Sequence, residues 1–90
     1  MTEETNARLK RLLFRSWHRG TREMDLLLGN FARRHLESFT EDQLDRFEAL
    51  IELGDPELFA WISGLESVPP GLDNDVMSLL KDFKFKSISD

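Results

Sequence analysis

The sequence predicts an all-α fold: a compact antiparallel bundle of five short helices, in a single domain covering residues 1–90. Three observations carry this prediction. Apolar residues recur at helical spacing in five successive stretches. Helix-capping residues, Gly and Pro fall between those stretches. No segment alternates as a half-buried strand would. A chain of 90 residues has the length of one domain and no cysteine to staple it. The connections are a few residues each, as antiparallel neighbours in a bundle require.

The first helix is expected over 6–17, with Leu9, Leu12, Leu13, Ser16 and Trp17 on its inner face and Thr5 or Asn6 as N-cap. The second runs over 21–36. Met24, Leu27, Leu28, Phe31, Ala32 and His35 sit at i, i+3, i+4, i+7, i+8 and i+11. Gly29, inside this helix, costs ~1 kcal/mol against Ala and allows close helix packing. Thr40-Glu41-Asp42-Gln43 is a capping box that opens a third helix over 40–53, with Leu44, Phe47, Leu50 and Ile51 inward and Gly54 as its stop. Asp55-Pro56 reads as N-cap and N1 of a fourth helix over 56–63, carrying Leu58, Phe59, Trp61 and Ile62 and stopped by Gly64. Val68-Pro69-Pro70-Gly71 reads as a rigid, non-helical loop. Asp73 or Asn74 then caps a fifth helix over 74–83, with Val76, Leu79, Leu80 and Phe83 inward. The ordered core is expected at about 6–83, with 84–90 a flexible tail in which Phe85 can dock.

Charge is unevenly distributed. Residues 1–36 carry 8 Lys/Arg and 4 Asp/Glu, a balance of +4, whereas residues 37–90 carry 4 and 13, a balance of −9. Six basic residues and no acid lie between Arg8 and Arg22. A basic end on an acidic body is therefore expected. The N-terminus is polar, and no apolar run approaches the ~18 residues of a membrane span, so neither a targeting segment nor membrane insertion is expected.

Catalytic chemistry finds little support. The two histidines, His18 and His35, are 17 residues apart and lack a second ligand at helical spacing, so no metal site is expected. Ser16 and His18 do not share a helix face. The pairs Glu41/Asp45 and Asp45/Glu48 read as a solvated face. There is no Gly-rich phosphate loop, and a small core leaves little volume for a cofactor cleft. The basic run could track phosphates, but the acidic remainder would repel a nucleic acid. Trp17, between Arg15 and Arg19, is either core or an interface anchor. In Arg19-Gly20-Thr21-Arg22-Glu23, Gly20 either closes the first helix or caps the second, with Glu23 at N3 favouring the positive helix end. Alternatively, a bare Gly between Arg and Glu lets another backbone approach while two charges set register.

The run Leu13-Phe14-Arg15-Ser16-Trp17-His18-Arg19-Gly20-Thr21-Arg22-Glu23-Met24-Asp25-Leu26-Leu27-Leu28-Gly29 resembles the signature of the succinate dehydrogenase assembly factor family, whose hallmark is R-G-x-x-E. Arg19, Gly20 and Glu23 match it; Thr21 stands where many members carry Met. The similarity continues through residues 44–51 and 55–62 and covers roughly 8–83. The resemblance implies an accessory maturation factor rather than an enzyme. Its partner would be the flavoprotein subunit of succinate dehydrogenase, and in some bacteria that of fumarate reductase. The factor would promote covalent attachment of FAD to a histidine of that subunit.

That implied histidine belongs to the partner, so neither His18 nor His35 is the flavin ligand. FAD likewise belongs to the partner, and no cofactor is expected to stay bound to this chain. The implied partner-binding residues are Arg19, Gly20 and Glu23, supported by Arg15, Trp17, His18 and Arg22. A cytoplasmic location is implied in a bacterium, and the mitochondrial matrix for a processed organelle form. A nucleic-acid-associated regulator using the basic first helix is the main alternative, and an FAD-dependent transferase a third.

Overall fold

The structure, a computed structural model, describes residues 3–89, with side chains as far as Lys84. The described residues form five α-helices and two short 3₁₀ turns, and no strand. The helices are α1 (Glu3–Trp17), α2 (Arg22–His35), α3 (Glu41–Ile51), α4 (Asp55–Ile62) and α5 (Asp75–Ser89). The chain divides into two compact units, one ending at Phe39 and the other starting at Thr40.

In the first unit α1 and α2 pack on each other and on the 3₁₀ turn Leu36–Ser38. Leu12, Met24, Leu28, Phe31, Ala32 and Leu36 are buried. Leu9, Leu13, Leu27 and His35, expected inside, are half-buried at the margin of that stripe. Ser16 is fully buried without penalty, because its hydroxyl donates to Leu12 O at 2.7 Å. Among the described residues α1 runs from Glu3, upstream of the expected caps Thr5 and Asn6. Glu3 and Glu4 suit the positive end of the helix and extend it.

In the second unit α3 and α4 both pack on α5. The expected inner residues Leu44, Phe47, Leu50 and Ile51 of α3 are all buried. The capping box forms as read: Thr40 Oγ1 accepts from Gln43 N at 3.2 Å, and Gln43 Oε1 accepts from Thr40 N at 3.0 Å. The start of α4 differs by one residue. Gly54 is its N-cap, which shifts Asp55 to N1 and Pro56 to N2, and Glu57 reaches back to accept from Gly54 N at 3.1 Å. That bond satisfies the amide of the cap residue itself, a different group from the first-turn amide that an Asp55 cap would have served. Gly64 follows the end of α4 with φ 82°, the left-handed conformation a helix stop uses.

Leu58 and Ile62 are buried and Trp61 half-buried, but Phe59 is exposed and carries the Lys84 ammonium 5.1 Å from its ring centroid. An eight-residue helix buries one narrow stripe, and Phe59 falls outside it. The proline loop is not wholly irregular: Pro70–Leu72 make one 3₁₀ turn, which Pro permits at its first position. Asn74 rather than Asp73 caps α5, accepting from Met77 N at 3.1 Å. Met77 joins Val76 and Leu80 in the core, while Leu79 and Phe83 are half-buried. The backbone stays helical beyond 83 to Ser89, since no Gly or Pro follows Gly71 to stop it. The side chain of Phe85 lies outside the described residues.

The link between the first two helices

The residues singled out by the sequence converge on one short segment. Residues 18–21 link α1 to α2, and the other members flank that link. Arg15 lies half-buried in the last turn of α1. His18 is exposed; its ring stacks on Phe14 at 3.9 Å between centroids, and its Nδ1–H donates to Phe14 O at 2.7 Å. Phe14 is itself 61% exposed, an apolar surface that the helical spacing did not single out. Gly20, Arg22 and Glu23 are exposed and Arg19 is half-buried.

Thr21 caps α2. Its extended backbone (φ −131°, ψ 156°) and hydroxyl, accepting from Met24 N at 3.2 Å, satisfy an otherwise unpaired amide. Gly20 is therefore not the cap, and Glu23 stands at N2 rather than N3. Gly20 also lies outside the left-handed region, which among the described residues is occupied by Gly64. With the capping role taken by Thr21, Gly20 is an exposed position that carries no side chain.

The charges around the link follow two patterns. Glu23 and Asp25 sit in the first turn of α2, where the helix dipole favours an anion. Arg22, at N1, sits where the same dipole disfavours a cation.

Two contacts fix this link from within the unit. The Arg19 amide donates to Asp25 Oδ1, across six residues and partly buried. The Trp17 indole lies on the backbone of Gly29, so close that a Cβ there would fall 2.5 Å or less from three indole carbons. Trp17 is thus half-buried packing, and Gly29 permits the close approach expected of it. Asp25 was not singled out as a site residue; its signal was an acid in the first turn of a helix directly after an Arg-Gly link.

The second histidine is not part of this assembly. His35 stands at the C-terminal end of α2 between Phe31 and Phe39, with ring centroids 4.6 and 5.9 Å away. Among the described residues no group of three or more His, Asp or Glu side chains could hold a metal ion. No helix there is long and apolar enough to cross a membrane.

Residues 10–84 match the family model described as flavinator of succinate dehydrogenase. Curated relatives agree. The chain is 39% identical over 82 residues to succinate dehydrogenase assembly factor 2-A, mitochondrial, of Drosophila ananassae, covering 89% of this chain and 53% of that protein. It is 42% identical over 74 residues to the mitochondrial assembly factor 2 of Aedes aegypti, covering 80% of this chain and 46% of the relative. To the Dictyostelium discoideum protein of that name it is 39% identical over 72 residues, with coverages of 80% and 51%. The chain therefore spans about half the length of these relatives. On a match that runs through both units, the chain belongs to the family of succinate dehydrogenase flavinators.

Proposed function

We propose that this protein binds the flavoprotein subunit of succinate dehydrogenase and promotes covalent attachment of FAD to it, acting as a maturation factor without catalytic residues of its own. The observation that carries the reading is the exposed link, with Gly20 between Arg19 and Glu23 and Arg15, His18 and Arg22 alongside. Exposed backbone at Gly20 bordered by both charge signs suits docking against a second protein, where a side chain would hold the two backbones apart. Trp17, half-buried against Gly29, anchors the α1 end of the link. A standard interface takes ~800 Å² from each partner, more than the link alone, so neighbouring surface of α1 and α2 takes part.

Such a factor acts by differential affinity. It favours the partner conformation in which FAD and the accepting histidine are aligned, and ~1.4 kcal/mol of preference changes that population tenfold. FAD and the histidine it joins both belong to the partner, and this chain holds no cofactor of its own. It works in the compartment of the flavoprotein: the cytoplasm of a bacterium, or the mitochondrial matrix for an organelle protein. The fumarate reductase flavoprotein is a second target to assay in parallel.

The test is complex formation with the purified apo-flavoprotein subunit. Wild type should form a stoichiometric complex, and Gly20→Leu, Arg19→Ala and Glu23→Ala should weaken it while melting normally. Normal binding by all three variants would reduce the link to a helix junction. Nucleic acid recovered with the protein and lost steeply with salt would favour a nucleic-acid regulator.

A further inference from the structure

We propose that Asp25 is a positioning residue that holds the link between α1 and α2 in its docking conformation before the partner arrives; this rests on the docking reading above. Asp25 lies outside the R-G-x-x-E residues, one turn into α2. Its backbone is committed to the helix, with its amide donating to Thr21 O at 3.0 Å. Its carboxylate is turned back along the chain and accepts from the Arg19 amide. That bond closes a loop around Gly20 and Thr21, so the backbone on either side of Gly20 is tied to a rigid helix. The other border of the link is held by the Trp17 indole on Gly29. Gly20 is the most flexible residue type, and without a tie a link containing it would sample many conformations.

The consequence is an effect on affinity that contacts alone do not predict. If only a fraction of molecules holds the link correctly, the apparent Kd rises by the inverse of that fraction. Pre-organisation removes that loss and moves the ordering cost from binding to folding. The carboxylate acts here as a hydrogen-bond acceptor. Asn offers an amide oxygen at the same position and Ala offers none.

The experiment compares wild type, Asp25→Asn and Asp25→Ala in binding to the apo-flavoprotein subunit, in thermal melting, and in hydrogen exchange at the Arg19 amide. Asp25→Asn should retain affinity within about threefold, with a protected Arg19 amide. Asp25→Ala should lose about tenfold in affinity, with that amide exchanging freely while the amides of α1 and α2 stay protected. A helix-dipole role would instead weaken Asn and Ala alike, because both lose the charge. Equal loss in the two variants therefore overturns the proposal. So does wild-type affinity in Asp25→Ala, or an unprotected Arg19 amide in wild type. Absence of any wild-type complex would overturn the docking reading itself, a result separate from all of these.

Discussion

Gly29→Ala isolates the contact on which the shape of the link depends. In a helix interior Ala is ~1 kcal/mol better than Gly, so an unobstructed site would gain stability from the change. Here the added Cβ would lie 2.5 Å or less from three carbons of the Trp17 indole, and the ring must move. Overpacking of that kind costs ~1–3 kcal/mol. The two effects oppose each other, and the net change should be a loss of ~0–2 kcal/mol. In a Trp17→Ala background the obstruction is gone, and the same substitution should stabilise by ~1 kcal/mol. The coupling between the positions is then ~1–3 kcal/mol. Urea unfolding of the four proteins, followed by far-UV circular dichroism because two of them lack Trp17, measures it. Coupling below ~0.5 kcal/mol, the level of independent sites, would refute the indole–glycine packing.

Thr40→Ala should cost ~1 kcal/mol in the same unfolding assay, by removing the hydroxyl that caps α3. Phe47→Ala, at a fully buried position, should cost ~3–5 kcal/mol and lower the midpoint far more than any surface change. Asp75 predicts an acid-dependent effect. Its pKa is lowered from 3.8, chiefly by the Gln43 side-chain hydrogen bond; burial works against this, and the Arg46 charge and the Val76 N–H add to it. A carboxylate with a depressed folded pKa contributes stability above its unfolded value and loses it as pH falls through the folded one. Asp75→Asn should therefore be less stable than wild type near neutrality, with the difference shrinking below about pH 4. A gap that is constant from pH 7 to pH 2.5 in thermal melts would contradict that assignment.

What the sequence made legible follows from which physics dominates at each residue. The inner stripe of α3 reads directly, because Leu44, Phe47, Leu50 and Ile51 have one environment and a strong cap ahead of them. Helix ends were harder. At Gly54 glycine is itself an acceptable N-cap, and Glu57, three residues onward, accepts from its amide, so Asp55 begins the helix instead of capping it. Phe59 was misplaced because a short helix carries too few turns to define a single inner direction. The link between α1 and α2 was legible as a link, since Arg-Gly between two amphipathic helices is a local pattern. Its construction was not. The Asp25–Arg19 bond and the Trp17–Gly29 contact depend on how the chain doubles back, which spacing along one helix does not encode. Thr21 took the capping role from Gly20 because its hydroxyl pairs an amide that glycine would leave open.

In the proposed role, this chain promotes flavinylation through the Gly20 link. Its most direct measurement is covalent FAD incorporation into the apo-flavoprotein subunit over time, read as in-gel flavin fluorescence, with no factor, wild type or Gly20→Leu. Wild type should accelerate incorporation severalfold or more over the factor-free reaction, and well-folded Gly20→Leu should return it to the factor-free rate. Equal incorporation in all three reactions would contradict the claim.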